Sequence, residues 1–216
     1  MKKGNQFGET VEGYNIPVLN EREIRAAAGI LFFFTFLSLL LILLKGNFVL
    51  IKYVITVFMT DFIIRVFINP KFAPTLIISR LIVSKQNPEY VGAAQKKFAW
   101  IIGVVLSSTM FVLMVLVNSY SPITGIICLI CLAFLFFESV FGICLGCLFY
   151  NLAYKQKAQH CPGEICEVKN KHDIQKTSFL QIIIVLAMIG FVILMAFLFN
   201  DFFSVKPHDL FGTFQK

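Results

Sequence analysis

Charge is scarce in this chain: only 14% of its 216 residues are Asp, Glu, Lys or Arg, 12 of them acidic against 19 basic. Recognisable catalytic signatures are missing as well. There is no Walker loop to cradle a nucleotide's phosphates, no glycine fingerprint for a dinucleotide, no H-E-x-x-H and no G-x-S-x-G. Those absences remove the common nucleotide-binding, zinc-peptidase and serine-hydrolase architectures. No N-x-[ST] acceptor, internal repeat or low-complexity segment is present either.

The residues that are present are apolar. Hydrophobic residues make up 58% and aromatics 15%, with 25 Phe and a mean hydropathy of +0.81. A soluble domain is nearer half apolar and interrupts its apolar runs with charge. Here the runs approach the ~20 residues that cross a bilayer, so the chain reads as an all-α, polytopic integral membrane helix bundle. Five runs are expected to span: Ala26 to Leu44, Phe48 to Ile68, Phe98 to Val117, Ile123 to Tyr150 and Phe179 to Phe199. The first is read as a retained helix rather than a cleaved signal, because no small-residue cleavage site follows it at Lys45 to Phe48.

The net charge of +7 raises nucleic acid as a partner, but the basic residues lie between the apolar runs, where they set topology and meet anionic lipid. Fifteen Lys and Arg fall on one side, in the N-terminal segment, in the 66–97 connection with Arg65 at its edge, and in the 151–178 connection. Four fall on the other, at Lys45, Lys52, Lys206 and Lys216. The positive-inside rule therefore predicts a cytosolic N-terminus and an external C-terminus. Trp100 and Tyr150 are expected at the inner interface, Tyr53 and Tyr120 near the outer one. Between Pro74 and Ser84 the run T-L-I-I-S-R-L-I-V-S is too short to span, and predicts either a short helix lying in the interface or a loop packed on the bundle.

Six cysteines carry the candidate chemistry. Cys144 and Cys147 stand three apart at the end of the fourth run, so both sulfurs share a helix face, and Cys161 and Cys166 follow in the next loop. At the cytosolic leaflet, retained cysteines are more often catalytic, redox-sensing or metal-binding than structural. The spacing C-x2-C-x13-C-x4-C suits a dithiol relay, and equally a tetrahedral zinc site with His160 and His172 in reserve. A helix C-terminus opposes a thiolate, so activation needs Gly142 and Gly146 to break the helix, or Lys155 and Lys157 to supply positive charge. Cys128 and Cys131 lie deep in the fourth run and read as packing residues.

Intramembrane charge forms a second constellation. Asp61 and Arg65 are four apart and predict an ion pair on one helix face. Glu138 has no partner in its own segment. A bare carboxylate in hydrocarbon costs about 3 kcal/mol on insertion scales, so Glu138 is expected to face inward and meet Arg65 or take up a proton. Asp61, Arg65 and Glu138 together allow either a polar path or a clamp between the second and fourth helices.

The succession N-E-R at Asn20 to Arg22, D-F-I-I-R at Asp61 to Arg65, P-K-F-A-P at Pro70 to Pro74, K-F-A at Lys97 to Ala99 and E-S-V-F-G-I-C-L-G-C-L-F-Y at Glu138 to Tyr150 resembles the bacterial membrane family catalogued as domain of unknown function 4395. The likeness runs over about residues 18 to 155, and C-x-G-C-x-x-Y is its most specific element. It implies a bacterial cytoplasmic (inner) membrane location and no particular activity. The expected organisation is a cytosolic segment at 1–22, a four-helix membrane domain at 23–155, a cytosolic cysteine loop at 156–177, a fifth helix at 178–200 and an external tail at 201–216. The expected function is thiol-disulfide or sulfur-relay chemistry at Cys144, Cys147, Cys161 and Cys166 with a thioredoxin-like or rhodanese-like cytosolic partner, and no cofactor. Two alternatives stand beside it: a small transporter or channel using Asp61, Arg65 and Glu138, and a structural four-cysteine zinc site.

Overall fold

The computed structural model of the chain describes residues 7–11, 14, 16–145 and 177–209. Within them are six α-helices and two short two-stranded ribbons. Strand β1 (Val18–Asn20) pairs antiparallel with β2 (Tyr90–Gly92), with Leu19 opposite Val91. At the far end β3 (Ser119–Tyr120) runs parallel to β4 (His208–Asp209).

Helix α1 (Glu21–Lys45) begins where Asn20 Oδ1 accepts the Arg22 N–H at 3.2 Å, with Glu21 and Glu23 favourably placed in the positive first turn. It ends at Gly46, whose N–H reaches back to Ile42 O at 2.9 Å. Helix α2 (Val49–Ile63) continues into a π-helical turn at Ile64–Ile68, and a 3-10 turn at Pro70–Phe72 leads into α3 (Pro74–Ile82). Helix α4 (Ala93–Phe111) likewise closes on a π turn, Val112–Leu116. Helix α5 (Pro122–Phe136) opens with a Ser121/Thr124 capping box and ends in a third π turn, Phe137–Phe141. Helix α6 (Phe179–Ser204) opens with a second capping box, Ser178/Gln181.

Four of these helices are long and apolar enough to cross a membrane: Glu21–Lys45, Ala93–Leu116, Pro122–Phe141 and Phe179–Ser204. Helix α2 differs because, with its π turn, it carries Lys52, Asp61 and Arg65, all three buried. Hydroxyls inside the bundle are satisfied along their own helices. Thr35, Ser38 and Thr56 each donate to the carbonyl four residues earlier at 2.7–2.9 Å. One core cluster joins Ile24, Ala28, Phe58, Phe62, Leu76, Trp100 and Leu135 toward the β1–β2 end, and a second joins Ile51, Ile55, Met110, Met114 and Cys128 toward the other. Helices α2 and α4 approach closely at Gly103. A Cβ there would stand 2.3 Å from the Phe62 ring, so only glycine admits that ring against the α4 backbone.

One expectation changes and two gain detail. The fourth run does not continue as one helix to Tyr150: Gly142 adopts φ +68, a left-handed conformation that ends α5. Trp100 is 2% exposed and packed edge-on to Phe7 at 5.9 Å. The 74–82 segment forms a helix packed on α1 and α6, with Leu76, Ile77, Ser79 and Arg80 buried and Leu81 and Ile82 exposed.

Candidate functional site

Buried charge collects at the β1–β2 end in three linked constellations. In the first, Asp61 accepts from Arg65 Nε at 2.7 Å and from the Thr75 backbone N–H at 2.9 Å. The Thr75 hydroxyl accepts from Arg65 Nη2 at 2.6 Å and donates to Asp61 Oδ2 at 2.7 Å. The Arg65 guanidinium lies over the rings of Phe62 at 4.7 Å and Trp100 at 5.2 Å. Both Asp61 oxygens, the Thr75 hydroxyl and two of the Arg65 nitrogens are engaged, which helps a buried ion pair to offset its desolvation.

In the second, Lys96 stands between two carboxylates. Its Nζ is 2.8 Å from Glu21 Oε2 and 2.8 Å from Glu138 Oε1. Glu138 therefore faces inward, but its partner is Lys96 on α4 and not Arg65. Arg65 is already engaged by Asp61 and Thr75. Lys96 and Glu21 are 1% exposed against 16% for Glu138, so Glu138 is the member of the triad open to its surroundings.

The third constellation joins the α1 start to α3. Arg80 Nη2 pairs with Glu23 Oε2 at 3.1 Å, and Asn20 Nδ2 donates to Glu23 Oε1 at 3.0 Å. Arg22 pairs with Glu89 and donates to Gln86 at 3.1 Å. Above them the Tyr90 phenol is pushed up by burial, with Tyr14, Glu9 and Glu23 adding to the effect.

Cys144 is buried just past the Gly142 stop. It lines a cavity of about 40 Å³ together with Glu138, Trp100, Gly103 and Cys131, large enough for a water molecule. Arg25 Nη2 donates to Val140 O at 3.2 Å and lies against Gly142, placing a cation on the carbonyl end of α5. That position opposes the helix-terminal field which disfavours a thiolate. Cys128 packs into the α2–α4 core cluster, and Cys131 lines both this cavity and the one beside Ile51 and Phe58. Cys147, Cys161, Cys166, Lys155, Lys157, His160 and His172 lie outside the described residues. Among the described residues, no group of three His, Cys, Asp or Glu is arranged to hold a metal ion.

Six partners in this region were not singled out by sequence: Glu21, Glu23, Arg25, Thr75, Arg80 and Lys96. Two signals were available. Two acids in the first turn of an apolar helix, and a lysine immediately before the K-F-A run, sit at the same depth in the topology and invite pairing. Thr75 gave no signal, because its role depends on where the 66–97 connection folds back.

Two of the interior charges that the sequence marked, Arg65 and Glu138, occupy π turns. A π turn adds a residue to the helical circuit, swinging side chains off the regular stripe, and such turns concentrate at functional sites. No curated protein and no solved structure matches the chain. The family model described as domain of unknown function (DUF4395) matches residues 19–155, more than half of the sequence, and the chain belongs to that family.

Proposed function

We propose that this protein is a five-span protein of the bacterial cytoplasmic membrane, with its N-terminus and long connections in the cytosol. On this reading its inner face carries thiol-disulfide or sulfur-relay chemistry through Cys144 and Cys147, served by Cys161 and Cys166. The fifth span is α2. Support for it comes from the internal partners of its charges: Asp61 and Arg65 answer each other, and Lys52 Nζ donates to Asn118 Oδ1 at 2.8 Å and to Val205 O at 2.7 Å. The exposed Leu81 and Ile82 at the end of α3 suit the interfacial layer, in keeping with a short interfacial helix.

The observation that carries the thiol reading is the Gly142 stop. It takes Cys144 off the α5 axis and sets it in a cavity with Glu138, under the Arg25 cation. In a relay, one thiolate attacks a disulfide of a thioredoxin-like partner, forming a mixed disulfide and releasing the partner's second sulfur as a thiolate. The remaining cysteine then displaces the partner, leaving an intramolecular disulfide and a reduced partner. A rhodanese-like partner would instead hand over a persulfide sulfur.

Separate Cys144→Ser and Cys147→Ser variants test this. A relay leaves one variant trapped as a mixed disulfide that reductant releases and that an alkylation mass shift registers. Loss of bound zinc from both variants, without any trapped species, would instead favour the four-cysteine metal site. A second reading, transport, is favoured by the Glu21–Lys96–Glu138 triad, in which two carboxylates share one lysine inside the bundle. Proton or solute flux in reconstituted vesicles that survives both serine variants but fails in Glu138→Gln selects that reading.

A further inference from the structure

At the end of the bundle opposite the carboxylate network, a cleft of about 280 Å³ opens between the α1–α2 turn and the end of α6. Lys45, Asn47 and Phe48 form one wall, and Phe203, Ser204, Val205 and Lys206 the other. Only four of the nineteen basic residues belong to this end by the sequence count, and three of them converge here. Lys45 and Lys206 line the cleft, while Lys52 lies fully buried behind it, its Nζ donating to the carbonyl of Val205 in the cleft wall at 2.7 Å.

None of the three has an acidic partner. Among the described residues, no carboxylate stands within ion-pair distance of Lys45, Lys52 or Lys206, and Asp201, one turn back on α6, is exposed and makes no ion pair. At the other end, by contrast, Arg22, Arg65, Lys71, Arg80 and Lys96 all carry carboxylate partners. A cation withdrawn fully from water and left without a counter-charge is expensive unless an anion approaches. We propose that this cleft binds a phosphate-bearing anion, and that in the membrane this is the headgroup of an anionic phospholipid. The lipid's chains would lie against the apolar surface beside the cleft, where Leu43, Leu44 and Phe202 are exposed. This inference does not depend on the thiol reading, because no cysteine takes part.

The test uses full-length protein in neutral detergent, with lipid adducts counted by native mass spectrometry. Phosphatidylglycerol is compared with phosphatidylcholine of the same chains, and inorganic phosphate serves as the soluble competitor. Phosphatidylglycerol should be retained over phosphatidylcholine. In the Lys45→Gln/Lys206→Gln variant its affinity should fall about thirtyfold, from two lysines near a charged surface. Both side chains are exposed, so the variant should fold, and Lys85→Gln at the other end should change nothing. Competition by phosphate alone would assign the cleft to a soluble phosphate anion; resistance to it assigns the cleft to the lipid. Equal retention of the two lipids, or an unchanged phosphatidylglycerol affinity in the double variant, overturns the proposal.

Discussion

Asp61 caps helix α3 from a different helix: its Oδ1 accepts the Thr75 N–H at 2.9 Å. The residue in the N-cap position, Ala73, has no side-chain acceptor to offer, and Pro74 contributes no N–H. One carboxylate thereby answers the Arg65 cation and the positive end of α3 together, tying the 66–97 connection to α2.

Asp61→Asn should therefore cost more than a surface pair does. It leaves Arg65 buried at 2% exposure without a counter-charge, a situation worth about 3–5 kcal/mol. Denaturant unfolding in detergent should register that loss. The double variant Asp61→Asn/Arg65→Met should lose less than the two single losses added together, since the orphaned cation is gone. Additive losses would mean the two side chains do not act as a pair.

Lys96→Met should destabilise more than Glu138→Gln. Removing the lysine strands Glu21 and Glu138 side by side in the bundle, again about 3–5 kcal/mol. Neutralising Glu138 leaves the Lys96–Glu21 pair intact, with a contact of 2.8 Å. The ranking is read from the two melting temperatures, and a reversed order would place the stabilising pair at Glu138.

Gly142→Ala tests the stop that positions Cys144. A left-handed φ costs an L-residue about 1–2 kcal/mol, and the new Cβ would stand 3.3 Å from the Arg25 guanidinium. Alongside the stability loss, alkylation of Cys144 should speed up as its burial loosens. Unchanged alkylation would mean that the cavity, and not the turn, holds the thiol.

Gly103→Val should cost about 1–3 kcal/mol by overpacking against Phe62. Adding Phe62→Ala should recover part of that loss. The check is a double-mutant cycle on unfolding free energy, in which a coupling near zero would refute the contact.

Much of the framework was legible in the sequence. Apolar runs of spanning length announced the helices, because a bilayer fixes their length and composition. The Asp61–Arg65 spacing announced their mutual bond. What stayed hidden were pairings across helices. Lys96 counted only as a topological charge, and nothing in Glu138 itself distinguishes a lysine on α4 from an arginine on α2 as its partner. The end of α5 was hidden for a related reason: the run stays apolar through Ile143 and Leu145, so only the backbone of Gly142 records the stop.

Helix α6 is gripped at its two extremities and hardly elsewhere. Near its start Gln181 Nε2 donates to Lys71 O at 3.0 Å, near its finish Lys52 holds Val205, and among its described residues only Gln181 and Phe203 are buried. It is a stave pinned top and bottom, with its long middle left to lipid. The helices within the family's boundaries, 19–155, thus make their charge network with no contribution from α6. Docking α6 ties its start to Lys71, stacks Phe203 on Tyr53 and gives Lys52 an oxygen to hold.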